Sequence, residues 1–178
     1  PQVERRRCVF FDRDGVVDRS PGPGYVLSEG DFHLNPGIAE ALSFVKQKNC
    51  LAILVTSQKG VGKGLLSEAE LDRIHQKMQR ELQRSGAGFD GIYAYTGRKD
   101  CHYTPNPEPG MLYAAAQRFF IDLPISWMIG DADRDIEMAK SAGLKGTLRI
   151  VSEKPIQVEA DYTVATTLEI LSVLEKIL

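Results

Sequence analysis

Two short carboxylate runs, far apart in the chain, each close an apolar stretch. Phe10-Phe11 gives way to Asp12-Arg13-Asp14-Gly15, and Met128-Ile129-Gly130 gives way to Asp131-Ala132-Asp133-Arg134-Asp135. In an open α/β sheet, buried strands deliver the residues behind them to the carboxyl edge, where ligands bind. Carboxylates gathered there repel one another unless a cation holds them. An all-oxygen donor set suits a hard ion, Mg²⁺ in phosphate chemistry. One acidic turn would be ordinary, since Asp and Gly favour turns. Two such turns, each directly behind an apolar strand, point to metal-assisted phosphoryl transfer.

The order of residues suggests roles. Asp12, first after its strand, is placed to attack phosphorus and form an aspartyl-phosphate. Asp14 is placed as general acid toward the leaving oxygen and then as base toward water, while Gly15 allows a tight turn beside the phosphate. Asp131 completes a metal shell with Asp12 and a backbone carbonyl, that of Asp14. Asp135, one helical turn on, orients that shell, and Asp133 is either a helix cap or a functional group. Thr56 ends another strand at the same edge, where its hydroxyl and the N–H groups of Ser57 and Gln58 can hold phosphate oxygens.

The elements that must position these residues follow from the apolar pattern. Strands are expected at 8–11, 51–55, 92–95, 126–129, 147–151 and 162–164, read as buried and parallel because their apolar runs do not alternate. Helices alternate with them. One is capped by Asn35-Pro36 and carries Ile38, Ala41, Leu42 and Val45. A second opens on the capping box Ser67-x-x-Glu70 and ends at Gly86. Others run over 109–120, through Ile136 and Ala139 to Gly143, and over 168–178. The alternation predicts an α/β fold, a Rossmann-like doubly wound parallel sheet with helices on both faces and right-handed crossovers. One domain, 1–178, is expected, with two long loops, 19–32 and 96–108, at the functional edge.

Composition narrows the partners. The 178 residues are 43% hydrophobic and 26% charged, ordinary for a globular protein, and the formal net charge of −2 gives no electrostatic case for nucleic acid or an anionic membrane. Cys8, Cys50 and Cys101 are widely spaced and form no disulfide framework, which suggests a reducing compartment. The polar, basic start from Pro1 to Arg7 precedes only a short apolar stretch, so neither leader nor membrane span is expected, and a cytoplasmic monomer is the default.

Phe-Phe-Asp-Arg-Asp-Gly, Val-Thr-Ser-Gln, Asn-Pro-Glu-Pro-Gly-Met and Ile-Gly-Asp-(x)3-Asp stand in the order and spacing of the haloacid-dehalogenase (HAD) phosphohydrolases. The chain resembles that family over residues 8–164, most closely a branch acting on heptose 1,7-bisphosphate and histidinol phosphate. The resemblance implies a HAD-like fold without a large cap domain and a Mg²⁺-dependent phosphomonoesterase. By it Asp12 is the nucleophile, Asp14 the acid/base, Asp131 a Mg²⁺ ligand, and Thr56 stabilises the phosphoryl group. Gly24 and Tyr25 of the first loop, with Ser57, Gln58 and Lys59 of the second, contact a small phosphorylated metabolite. A heptose bisphosphate is the first expectation, with histidinol phosphate or another metabolite, or a non-catalytic phospho-ligand binder, as alternatives.

Two departures bear on these expectations. The family's third motif, Arg-Lys-Pro-x-Pro-Gly-Met, reads Pro105-Asn106-Pro107-Glu108-Pro109-Gly110-Met111 here, so Asn106 replaces a lysine that neutralises the phosphate. The lysine usual after the motif-four aspartate is Ala132. Loss of a positive charge there would cost about 10²–10³ in rate unless another cation substitutes. Lys59, Lys63 and Lys99 are the candidates, Lys99 favoured. The family loop also often binds zinc, but only Cys101 and His102 remain where four ligands are needed, so no zinc is expected. His33 and His75 stand in no motif.

Overall fold

The computed structural model describes residues 4–178; Pro1, Gln2 and Val3, where the polar start begins, lie outside the described residues. Six apolar segments form strands: β1 (Cys8–Phe11), β2 (Leu51–Ser57), β3 (Gly91–Tyr95), β4 (Trp127–Gly130), β5 (Gly146–Ile150) and β6 (Tyr162–Val164). Every pairing is parallel, in the order β3-β2-β1-β4-β5-β6. Helices lie between and after them: α1 (Ile38–Gln47), α2 (Lys59–Gly62), α3 (Glu68–Gln83), α4 (Gly110–Phe119), α5 (Asp133–Ser141) and, behind β6, α6 (Ile170–Ile177). This is the doubly wound α/β fold the sequence predicts.

Both faces of the sheet are covered, which explains the missing alternation in the strands. Val9, Phe11, Ala52 and Leu54 pack with Leu42 of α1, Ile74 of α3 and Leu174 of α6. Cys8, Phe10, Leu51 and Ile53 face Met111 and Leu112 of α4 and Met138 of α5. Phe10 and Phe11, neighbours in sequence, therefore enter opposite cores, and both are fully buried. Each contributes about 1.5–3 kcal/mol by removing its apolar surface from water. Among the described residues, no helix is long and apolar enough to cross a membrane.

The strand order fixes where a ligand can sit. From β1 the chain runs out to β2 and β3 on one side, then returns to β4 on the other side of β1. The crevice outside the carboxyl ends of β1 and β4 is the topological switch point, the binding place of open α/β sheets. Asp12 follows β1 and Asp131 follows β4. The segments 12–37 and 96–109 border this edge and hold one short 3₁₀ turn between them, Glu29–Asp31.

Local differences from the sequence reading have physical reasons. The Asn35-Pro36 cap is not used: α1 starts at Ile38 behind Gly37, whose φ is 88°. The Asn35 amide instead donates to the carbonyls of Val16 (3.0 Å) and Asp18 (2.8 Å), tying down the turn after β1. The Ser67 cap is as expected, its hydroxyl accepting from the Glu70 N–H at 3.0 Å. Strand β2 runs two residues further than expected because its ladder with β3 continues to Ser57 opposite Tyr95. Asp133 is not the cap of α5, since Ala132 takes that position and the Asp135 carboxylate accepts from its N–H.

Candidate active site

The turn after β1 is wound tightly, with the N–H groups of Val16 (3.0 Å) and Val17 (2.8 Å) both donating to the Arg13 carbonyl. The Asp12 N–H still donates to Ile129 of β4 at 3.0 Å, which fixes its side chain at the switch point. Carboxylate oxygens of Asp12, Asp131 and Asp135 lie within 4.8 Å of one another, all three residues buried. The Oδ2 atom of Asp131 is buried without a hydrogen-bond partner, an expensive state for a carboxylate oxygen. An oxygen-only donor set with an unpartnered buried atom fits a hard divalent cation.

Asp135 thus stands in the same cluster, with its Oδ1 accepting from Asn106 and its Oδ2 from the Ala132 N–H. The Asp14 carboxylate points elsewhere, accepting from Arg13 Nη2 at 3.0 Å and from Gln58 Nε2 at 3.1 Å. The same Gln58 amide donates to Thr56 Oγ1 at 2.8 Å, so Thr56 and Asp14 are joined through one side chain. The Gln58 N–H is committed to the Tyr95 carbonyl at 2.6 Å. Asn106 donates from Nδ2 to Asp135 Oδ1 at 3.0 Å. Tyr25 accepts from Lys63 Nζ at 2.8 Å, which links the first loop to α2. Gly24 is exposed and Ser57 half-buried, while Lys59 and Lys99 are exposed.

The electrostatics split the site in two. Burial, then the charges of Asp135 and Asp131, push the Asp12 carboxyl well above the usual carboxylate range, with Lys154 opposing. Burial and Asp131 likewise raise Asp135. Burial would also raise Asp14, but the Arg13 charge and hydrogen bonds from Gln58 and Arg13 outweigh it and hold that carboxyl low. Asp18 is the counterpart: burial, then the Asp14 charge, push it up to about 9, with the Arg13 charge opposing.

Four contributors were not found in the sequence reading. Arg13, fully buried inside Asp12-Arg13-Asp14, pairs with Asp14 at 3.0 Å and with Asp18 at 3.5 Å. Its Nη1 also donates to His75 Nε2 at 3.0 Å. Arg cannot accept, so Nε2 is the bare nitrogen and the His75 proton sits on Nδ1. The fourth is Lys154, whose Nζ lies 3.1 Å from Asp131 Oδ1. It follows β5 at the same edge as the other loops, which made it as eligible by topology as Lys59, Lys63 or Lys99.

Buried carboxylates held at the switch point of a parallel doubly wound sheet make this an α/β protein with a candidate site for a hard divalent cation. The Hydrolase-like family, described as HAD-hydrolase-like, matches residues 104–149. The D-glycero-beta-D-manno-heptose-1,7-bisphosphate 7-phosphatase of Vibrio cholerae serotype O1 is 32% identical over 173 residues, 91% of this chain and 90% of that protein. The D-glycero-alpha-D-manno-heptose-1,7-bisphosphate 7-phosphatase of Burkholderia mallei is 35% identical over 154 residues, 82% of this chain and 80% of that protein. A crystal structure of the D,D-heptose 1,7-bisphosphate phosphatase from B. bronchiseptica, complexed with magnesium and phosphate, is similar at a TM-score of 0.82 and 27% identity. It covers 96% of this chain and 98% of that one. The chain belongs to the HAD-like hydrolases, in the branch of the heptose-bisphosphate phosphatases, and is a phosphatase.

Proposed function

We propose that this phosphatase removes the 7-phosphate of a D-glycero-D-manno-heptose 1,7-bisphosphate, with Mg²⁺ held by Asp12, Asp131 and Asp135, in the cytoplasm. The observation that carries the reading is the gathering of those three carboxylates within 4.8 Å at the switch point. Beside them stands an acid/base group, Asp14, kept apart by its own partners. Relatives bearing that activity support the substrate, and the magnesium and phosphate in the B. bronchiseptica complex support the cofactor. The three free cysteines accord with a reducing compartment.

The residues divide the work as follows. An oxygen of Asp12 attacks phosphorus, the bond from phosphorus to the sugar oxygen breaks, and that oxygen takes a proton from the Asp14 side. Asp14, held by Arg13 and Gln58, would carry that proton when the ligand is bound. In the second step water attacks the aspartyl-phosphate, Asp14 accepts the proton, and inorganic phosphate leaves Asp12 free. A bound Mg²⁺ supplies positive charge that keeps the crowded carboxylates ionised and orients the phosphoryl group. Thr56, held by Gln58, offers its hydroxyl to a phosphoryl oxygen.

The test is release of inorganic phosphate from the alpha and beta anomers of the heptose bisphosphate and from histidinol phosphate, with Mg²⁺ or with EDTA. Release from a heptose bisphosphate that stops in EDTA is expected. Preference for histidinol phosphate would replace the substrate, and binding without release would replace the enzyme by a phospho-ligand binder.

A further inference from the structure

The charge balance of this edge is incomplete on the carboxylate side. Three buried carboxylates converge there, and a phosphomonoester adds up to two negative charges against a single divalent cation. A phosphoryl group in transfer is stabilised by fixed positive charge aimed at its oxygens. Asn106, where the family resemblance leads one to expect lysine, brings only an amide, and that amide is spent on Asp135 at 3.0 Å.

A cation does reach the cluster, from a different loop. Lys154 places Nζ 3.1 Å from Asp131 Oδ1, its side chain 30% exposed against a carboxylate with 0% exposure. The ammonium is therefore paired with a fully buried carboxylate while part of its side chain still reaches solvent. Its position is built rather than incidental. Arg149, fixed in β5 with its side chain 1% exposed, pairs with Asp133 and donates from Nη2 to the Pro155 carbonyl at 3.0 Å. The Asp133 carboxylate accepts from the N–H groups of Gln157 (3.1 Å) and Val158 (3.0 Å). Ser152 Oγ accepts from the Lys154 N–H at 3.2 Å, and Ser20 donates to Glu153 at 3.0 Å, joining this loop to the one after β1. Restraints before, at and after residue 154 hold one ammonium over the carboxylates, and such preorganisation is what electrostatic catalysis requires.

We propose that Lys154 is a catalytic residue of this phosphatase: its ammonium, delivered by the β5–β6 loop, contacts the transferring phosphoryl group and supplies the charge that Asn106 does not. Lys99, exposed in its loop, and Lys59, exposed at the start of α2, are then dispensable. The inference rests on the phosphatase reading above. The rival is a lysine that only neutralises Asp131 to hold the fold together.

The experiment compares wild type, Lys154→Met, Lys154→Arg and the double variant Lys154→Met with Asn106→Lys. It measures steady-state kinetics with the heptose bisphosphate, and calorimetric binding of Mg²⁺ alone and of inorganic phosphate with Mg²⁺ present. Lys154→Met should lower kcat/KM by about 10²-fold or more and weaken phosphate binding at least tenfold, with Mg²⁺ affinity unchanged or improved. Lys154→Arg should retain part of both, and the double variant should recover at least tenfold in kcat/KM over Lys154→Met. Unaltered turnover and phosphate affinity in Lys154→Met would overturn the proposal. So would a variant that loses Mg²⁺ affinity and thermal stability together, which marks a structural ion pair. If wild type turns over no phosphomonoester, the phosphatase reading fails instead, and the phosphate-binding comparison still judges Lys154.

Discussion

Gly15 passes so close to Asp131 that a methyl group on its α-carbon would stand 2.1 Å from Asp131 Oδ2, and its φ of 88° lies where side chains are rarely tolerated. The turn after β1 and the carboxylate after β4 are therefore one packed unit. Gly15→Ala should displace Asp131 from the cluster and strain the turn by about 1–3 kcal/mol. Expected are a fall of at least 10²-fold in kcat/KM and a loss of Mg²⁺ binding by calorimetry, in a protein that melts several degrees lower. Normal Mg²⁺ affinity in this variant would show that Asp131 does not hold the ion.

Asp12→Asn separates chemistry from stability. An amide cannot attack phosphorus, so turnover should fall below a thousandth of wild type. Burial and the charges of Asp135 and Asp131 act against an ionised Asp12, so the neutral amide relieves that repulsion when no metal is bound. In EDTA at neutral pH the variant should melt higher than wild type, and addition of Mg²⁺ should narrow the difference. Residual turnover above a tenth of wild type would remove Asp12 from the nucleophile's place.

Zinc should be absent at stoichiometric level from protein purified without chelators. The Cys101 thiol faces the carbonyls of Ala94 and Tyr103, both at 3.9 Å, and His102 beside it is exposed, so the pair offers two adjacent ligands where a closed site needs four. Elemental analysis giving about one zinc per chain would restore Cys101 and His102 as ligands.

The parts of this site that were legible in the sequence are those set by strand ends. Asp12, Thr56 and Asp131 each stand at or directly behind a buried parallel strand, and an apolar run ending in a polar residue shows that position without coordinates. Lys154 and Arg13 were not legible for opposite reasons. Lys154 lies four residues past β5 in a loop with no periodicity, and what places it is a set of hydrogen bonds donated by Arg149 and Ser20 and accepted by Asp133 that no local pattern encodes. Arg13 was in plain view inside the first motif, but exposed arginine is the ordinary expectation in a turn. Its complete burial depends on Asp14 and Asp18 of its own turn meeting His75, which lies in α3. Asn35 failed in the same way: its amide found two carbonyls of a distant turn more useful than the end of a nearby helix.

His75 provides a test of that buried polar network through pH. Burial, then the charge of Arg13, lowers its pKa from 6.5 to about 3, while Asp14 acts weakly in the other direction. In the unfolded chain the imidazole titrates at its ordinary value, so below about pH 6.5 the unfolded state binds a proton that the folded state refuses. A depressed folded pKa thus gives stability that is present above pH 6.5 and is lost as pH falls toward 3. The loss approaches about 1.4 kcal/mol per pH unit for one proton. His75→Gln keeps an acceptor for Arg13 Nη1 and removes the titration from both states. Urea unfolding at pH 7, 6, 5 and 4 should show wild type losing stability relative to the variant at close to that slope between pH 6 and 4. The other carboxylates titrate in both proteins and largely cancel in the difference. Parallel curves for the two proteins would mean that His75 takes up its proton in the folded state, which the Arg13 guanidinium against Nε2 forbids.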